Sequence, residues 1–521
     1  MITEGQSDVI DFLGSPAAHG GAAVERIETH ASVVFLAGGT AWKLKRAVRY
    51  DYLDFSTARR RKAMCEAELR INRRTAPSLY RRVVAVTREA DGTLALDGAG
   101  TAIDWVLEMA RFDQEGLFDR LAARRALDVT LMRALAVAIA AFHQSAEPRR
   151  DHGGARGLAW VIDGNASGFA DQGARLFDPV VCAEVTRASQ RALDRHRALI
   201  DKRREDGRVR QCHGDLHLRN IVLIDGTPTL FDAVEFNDEI ACIDVLYDLA
   251  FLLMDLWRRE LPRHANAVFN AYLAETGDLE GLALLPLFLS CRAAIRAKTS
   301  ATAAGLRADA QRVELEELAR RYLDMARQLL APPSPALVAV GGLSGSGKSA
   351  LSYALAPSLG AVPGAVVLRS DEIRKRLCGK DPLERLGPEG YTADVSRRVY
   401  AELAARAAAV VRGGCAAIAD AVFAGPADRA AIARAAADAG VPFAGIWLDA
   451  PESVLIARAS GRRGDPSDAD AAVIRRQMAE DVGLIEWSRV DASPAHDAVV
   501  RLACRALDDR LGHRIFSTAA N

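Results

Sequence analysis

Between residues 211 and 232 the chain reads Gln211-Cys-His-Gly-Asp-Leu-His-Leu-Arg-Asn220, then Ile-Val-Leu-Ile-Asp-Gly-Thr-Pro-Thr-Leu-Phe-Asp232. A turn rich in polar groups is followed by a short apolar strand, an Asp225-Gly226 turn of hairpin type, and a second apolar strand ending in an acid. Phosphoryl transfer from ATP requires such a set. One carboxylate accepts or orients the hydroxyl proton, and an amide and a second carboxylate hold magnesium. Asp215 fits the first role, and Asn220 and Asp232 fit the second. A surface loop with scattered polar residues is the plainer reading, but several spaced elements agree against it.

A second stretch carries phosphate chemistry by a different device. Gly342-Leu-Ser-Gly-Ser-Gly-Lys348-Ser349 fulfils G-x-x-x-x-G-K-[ST], the Walker A P-loop pattern. It follows an apolar run, Leu337-Val-Ala-Val, and opens a helical stretch, Ala350–Ala356. Glycines there let backbone N–H groups wrap phosphates at a helix N-terminus. Gly342, Leu343, Ser344, Gly345, Ser346, Gly347 and Ala350 therefore form the expected cradle. Lys348 adds charge at the β- and γ-phosphates, and Ser349 is the expected magnesium ligand.

Elements on either side must position these groups. Ala31–Ala37, Gly38-Gly39 and Thr40–Arg46 predict a β-hairpin whose second strand puts Lys43 and Lys45 on one face. Either could contact phosphate, Lys43 being preferred; an edge strand guarded by lysines is the plainer alternative. Ser56–Arg74 predicts a highly charged helix, with Glu68 preferred over Glu66 as the lysine's partner. Val83–Val86 and Trp105–Met109 predict further strands, joined by an Asp91-Gly92 turn. The second leads to backbone near Glu108–Ala110, around Met109, that could receive adenine. Asp128 is a predicted N-cap, and His143 near the end of its helix reads as a core residue. Residues 145–200 are read as mostly helical, and Asp248, opening a buried helix, as a brace for the catalytic loop.

Ala331-Pro-Pro-Ser-Pro-Ala336 is a stiff linker. It divides a domain of residues 1–330, with lobes of about 30–107 and 110–330, from one of residues 337–521. In the latter, strand ends on the P-loop side line the site. This places Asp371 for an acceptor hydroxyl and Asp420 for magnesium; Arg374 and Arg376 could hold an anionic group of the acceptor, or could equally be a solvated helix start. Arg458, Arg462 and Arg463 suit a lid that brings cations to the transferring phosphoryl; an exposed basic helix is the alternative. Residues 468–521 read as helical without a role.

The chain has 521 residues, 68 basic and 68 acidic, and is 50% hydrophobic. That is room for several globular cores, and the neutral balance argues against a dedicated nucleic-acid binder. No basic-then-apolar leader or membrane-length apolar run is evident. The eight cysteines are dispersed without a Cys-x-x-Cys pair, as expected of reduced thiols in a cytoplasmic protein.

On His213-Gly-Asp-Leu-His217, Asn220, Asp232 and Tyr247-Asp-Leu-Ala250, the first domain resembles the aminoglycoside phosphotransferase family, a branch of the protein-kinase-like fold. The resemblance implies Asp215 as catalytic base, Asn220 and Asp232 as magnesium ligands, and Lys43 as phosphate contact. Leu218-Arg219 stands where that family often has Pro-Gly, and Phe231-Asp-Ala-Val-Glu-Phe where an Ile-Asp-Trp/Phe type is usual. On the P-loop, Ser370-Asp-x-x-Arg374, Asp420 and the arginine-rich stretch, the second domain is similar to P-loop kinases of the polynucleotide kinase, gluconate kinase and zeta-toxin group. The expectation is a two-lobe kinase-like α+β fold followed by a doubly wound α/β P-loop fold. ATP and Mg²⁺ would serve two sites, each phosphorylating a hydroxyl of a small molecule such as a sugar, aminosugar or aminoglycoside-like compound. Alternatives for the second domain are 5′-end phosphorylation of nucleic acid, or an ATP-dependent switch acting on the first.

Overall fold

The structure, a computed structural model, describes residues 5–29, 31–50, 53–173, 175–461 and 466–512. It divides into two compact units: residues 1–160 with 197–255, and residues 161–196 with 256–521.

In the first unit the strands are β1 Val24–Glu28, β2 Ser32–Ala37, β3 Thr40–Lys45, a short ribbon of β4 Arg49–Tyr50 and β5 Leu53–Asp54, β6 Tyr80–Arg88, β7 Leu94–Leu96 and β8 Thr101–Ala110. A six-stranded antiparallel sheet has the order β1-β2-β3-β8-β6-β7. Alternation buries Val33, Phe35, Leu44, Val84, Val86 and Val106 completely on one face. On the other lies the helix Ala58–Asn72, capped by the Thr57 side chain. Its buried stripe is polar: Arg61, Cys65, Glu68 and Asn72, at helical spacing. Burial of such groups is tolerated because each is paired. Arg61, for instance, grips both oxygens of Asp104 at 2.8 and 2.9 Å. This explains why a helix so charged in sequence packs face-down.

The same unit holds β9 Val209–Gln211, β10 Ile221–Ile224, β11 Thr227–Leu230 and β12 Cys242–Asp244. β9 pairs with β12, and β10 pairs with β11. Asp225 and Gly226 have φ of 48° and 77°, two successive positive values that give the tight turn expected of that dipeptide. Asp128 caps the helix Val129–Ser145 through a 2.7 Å bond to Leu131 N–H.

The second unit holds the parallel strands β13 Leu337–Gly342, β14 Val366–Arg369, β15 Ala417–Asp420, β16 Phe443–Asp449 and β17 Ser488–Asp491, in the order β14-β15-β13-β16-β17. Flanking helices cover it, as a doubly wound sheet requires. β17 corrects the all-helical reading of residues 468–521. It is four residues long, with one buried side chain, too short to show a strand period.

The linker 331–336 lies inside this second unit, because the helix Pro262–Thr276 closes the edge of β14. Asn270 Oδ1 accepts from Val367 N–H at 2.7 Å, and its Nδ2 donates to Ala365 O at 3.1 Å. Asn266 Nδ2 donates to Pro363 O and Ala365 O, each at 3.1 Å. An open sheet edge is a liability, and two buried carboxamides satisfy this one. Asn270→Ala is expected to destabilise the full-length protein by about 1–3 kcal/mol, since it strands Val367 N–H. Urea unfolding checks this; an unchanged midpoint would mean the edge is held by packing alone.

Candidate functional site

The stretch 211–232 of the first unit is fastened from beneath. Asp248, on the helix Val245–Arg258, accepts from His213 N–H (3.0 Å) and Gly214 N–H (2.9 Å), and its Oδ2 also lies 3.1 Å from His143 Nε2. It is the brace expected of it, and His143 is a packed core residue. Asp255, two turns further on, accepts from Leu218 N–H at 3.2 Å. The sequence reading overlooked Asp255. A proline at 218 would have no N–H to offer, so Leu218 and Asp255 belong together. Burial holds the His213 imidazole below its usual pKa, so it is neutral. Its Nε2 must donate to Phe231 O at 2.9 Å, which leaves Nδ1 to accept from Asp215 N–H at 3.3 Å. One histidine thus ties the end of β11 to the turn carrying Asp215.

Asp215 and Asn220 converge: Asn220 Nδ2 donates to Asp215 Oδ2 at 3.0 Å and to Asp215 O at 2.9 Å. His217 Nε2 lies 3.3 Å from the same carboxylate. Asp232 follows β11 with φ of 61°, a left-handed value uncommon for a side-chain-bearing residue. Its N–H donates to Tyr80 Oη at 3.0 Å.

Lys43 and Lys45 share a face of β3, and both reach Glu68. Lys43 Nζ donates to Glu68 Oε1 (2.7 Å) and to Asp232 Oδ1 (2.5 Å). Lys45 Nζ donates to Glu68 Oε2 (2.6 Å) and to Glu235. Burial pushes the Glu68 carboxyl up, but the two ammonium groups outweigh it and hold it at about 2. Burial would lower Lys43, yet Asp232 and Glu68 raise it well above its ordinary value. Glu66 is exposed, 3.9 Å from Lys62. Met109 is part of the sheet. It lies within β8 between β3 and β6, 7% exposed, packed with Val222 and Leu36. Ala110 N–H donates to Leu79 O and Arg111 N–H to Gly39 O. Backbone outside the sheet begins at Arg111–Asp113, just beyond Glu108–Ala110.

In the second unit β13 runs into the turn 342–347 and the helix Lys348–Leu355. Gly345 (φ 86°) and Gly347 (φ 92°) take backbone that only glycine adopts without strain. Ser349 Oγ donates to Asp420 Oδ2 at 2.5 Å, joining the two expected magnesium residues. Lys348 Nζ donates to Leu343 O at 3.1 Å. Arg458, on the helix Glu452–Ser460, lies over the turn, its Nη1 3.9 Å from where a Cβ on Gly347 would stand. Asp371 opens the helix Ser370–Leu377 that follows β14. Arg462 and Arg463 lie outside the described residues.

Arg374 and Arg376 both bond to backbone carbonyls. Arg374, 8% exposed, donates to Gly390 O at 2.8 Å, and Arg376 donates to Ala274 O. Two groups escaped the sequence reading. Arg369, at the end of β14, stands 3.5 Å from Asp420 and 3.4 Å from Glu372. Burial pushes Asp420 up, opposed by Arg369 and Lys348. Gln477, on the helix Ala471–Ala479, accepts from Ser344 N–H at 2.9 Å. An acid at a strand end announces itself, whereas a glutamine in a helix does not.

No helix among the described residues is long and apolar enough to cross a membrane. All eight cysteines are free thiols. Residues 34–285 match the phosphotransferase enzyme family, and residues 337–480 match an AAA domain. An uncharacterized protein of Mycobacterium tuberculosis (strain ATCC 25618 / H37Rv) is 30% identical over 483 residues, covering 89% of this chain and 92% of that protein. Among solved structures, a gluconokinase from Sinorhizobium meliloti 1021 aligns with TM-score 0.25 and 22% identity over 34% of this chain and 94% of its own. A choline kinase from Cryptosporidium parvum Iowa II aligns with TM-score 0.39 and 10% identity over 60% of this chain and 90% of its own.

Proposed function

Because the chain belongs to one family with the mycobacterial protein, and is an ATP-dependent phosphotransferase that joins a phosphotransferase-family domain to a P-loop kinase domain, we propose that both domains work. Each transfers the γ-phosphate of ATP to a hydroxyl of a small molecule, with a sugar, an aminosugar or an aminoglycoside-like compound as the expected class. The observation that carries this is two complete and separate sets of phosphate- and metal-directed groups, one per domain.

In the first, Lys43 approaches the phosphates while Glu68 fixes its ammonium, and Asp215 takes or orients the acceptor's hydroxyl proton. Asn220 spends its Nδ2 on Asp215, which turns its amide oxygen elsewhere, and the Asp232 side chain is 43% exposed. Both offer hard oxygen donors that fit Mg²⁺, which when bound neutralises charge on the phosphates. Twelve residues separate Asp232 from the helix at Val245. So short a return leaves no chain for a peptide-docking platform, which favours a small acceptor.

In the second, the N–H groups of residues 342–350 wrap the phosphates. Lys348 and Arg458 counter the charge that develops in transfer, together with Arg462 of the lid stretch, and Asp371 orients the acceptor. Ser349 and Asp420, a hydroxyl bonded to a carboxylate, are the oxygen donors for Mg²⁺ there.

Purified protein supplied with Mg²⁺-ATP and a panel of sugars, aminosugars, aminoglycosides and nucleosides is expected to phosphorylate at least one compound through each site. Asp215→Asn abolishes one set of products and Lys348→Ala the other. Loss of both sets in either variant would show one active centre and a regulatory P-loop domain. If neither variant changes any ATP-dependent activity, the proposal fails.

A further inference from the structure

Resting on the reading of residues 337–521 as a kinase site, we propose that Gln477 is a γ-phosphoryl contact of that site. Its carboxamide oxygen is fixed by the P-loop, and its Nε2 is turned to the terminal phosphate of ATP.

The P-loop has one backbone donor already engaged by a side chain, Ser344 N–H on Gln477 Oε1 at 2.9 Å. Because the partner is an N–H, the oxygen branch of the amide must face Ser344. The two-donor Nε2 branch then lies beside it, within reach of the same cradle. Ser344 stands at the end of the turn away from Lys348 and Ser349, where the helix begins. Amides at the helix N-terminus serve the inner phosphates, so a donor beside Ser344 adjoins the outermost one.

The side chain is also held. Asp470 caps its helix by accepting from Val473 N–H at 2.9 Å, Ile474 is fully buried, and Arg475 pairs with Glu452 at 3.0 Å. Glu452 opens the helix that carries Arg458. Arg458 and Gln477 therefore reach the P-loop from two helices that are tied together, one bringing charge and the other a neutral, directional donor. A neutral donor adds little to binding of a diphosphate that does not reach it, and strengthens only contact with the third phosphate.

The test compares Mg²⁺-ATP and Mg²⁺-ADP binding to the full chain by calorimetry, the second site being the uptake that Lys348→Ala removes. Gln477→Glu keeps the acceptor for Ser344 N–H but exchanges the donor for a negative charge. It is expected to weaken ATP about tenfold at that site while ADP changes less than about twofold, the scale of a hydrogen bond to a charged group. Gln477→Ala is expected to give the same bias, smaller. Equal loss of both nucleotides would reduce Gln477 to a structural prop. Tighter ATP binding in Gln477→Ala would make it a plug that competes with phosphate. Either result overturns the inference while leaving the kinase site intact. If Lys348→Ala removes no nucleotide uptake, the site reading itself is wrong and the inference falls with it.

Discussion

Asp215→Asn is expected to lower first-site turnover by about 10²–10⁴-fold, the range for loss of a general base, with the KM for ATP changed by less than about threefold. The separation follows from how the residue is held. Its main chain is fixed by His213 Nδ1, and its side chain meets Asn220 Nδ2, a donor that an asparagine oxygen at 215 accepts equally well. The nucleotide side, built from Lys43, Glu68, Asn220 and Asp232, keeps its shape. What is lost is the ability to take a proton. Steady-state kinetics with the acceptor found in the panel, varying ATP and acceptor separately, decides the matter. A fall of less than about tenfold would mean that Asp215 only orients the loop, and a large rise in KM for ATP would mean that it acts through Asn220 and the metal.

How far this site could be read beforehand depended on where each group sits relative to its neighbours in the chain. Asp215, Asn220 and Asp232 lie within one turn-hairpin unit, so their spacing alone brings them together. The P-loop is similarly local, and its strand–turn–helix setting is legible from an apolar run and three glycines. Asp420 was readable because a strand that ends in an acid is a short-range pattern. Other groups were invisible for physical reasons. Asp255, Arg369 and Gln477 act through tertiary contacts across long stretches of chain, and nothing at their own positions distinguishes them from ordinary helix or strand residues. Asn266 and Asn270 are of the same kind, since their role shows only when the edge of β14 is set against them.

The choice between Lys43 and Lys45 shows why spacing cannot rank two residues on one strand face, and it leads to the second large effect. Both lysines reach the two oxygens of Glu68, which is fully buried, and period two makes them equivalent. They differ in their other partners. Lys43 turns to Asp232, the expected metal ligand. Lys45, 2% exposed, turns to Glu235, whose side chain is 6% exposed. Ala233 N–H donates to Asn72 Oδ1 at 2.8 Å, and Phe236 meets Phe55 edge-on with centroids 6.4 Å apart. The segment following Asp232 is thus bound to the helix and strand that carry Glu68 and Lys45. Lys45–Glu235 is the ionic member of that set, and on the proposed function it is Lys43 that stays available for phosphate.

Glu235→Ala leaves the buried Lys45 ammonium to share Glu68 with Lys43 and is expected to cost up to about 3–5 kcal/mol in urea unfolding. It also lowers first-site kcat/KM, because Asp232 loses its tether. The combined Lys45→Met/Glu235→Leu replacement removes both charges and is expected to recover most of that stability, as paired removal of a buried ion pair does. If the pair is only a positional tether, activity should not return with stability, because an apolar contact does not fix Asp232 in register. Recovery of both together would show that the pair matters for charge balance alone. An undiminished stability in Glu235→Ala would show that Glu68 satisfies both lysines unaided.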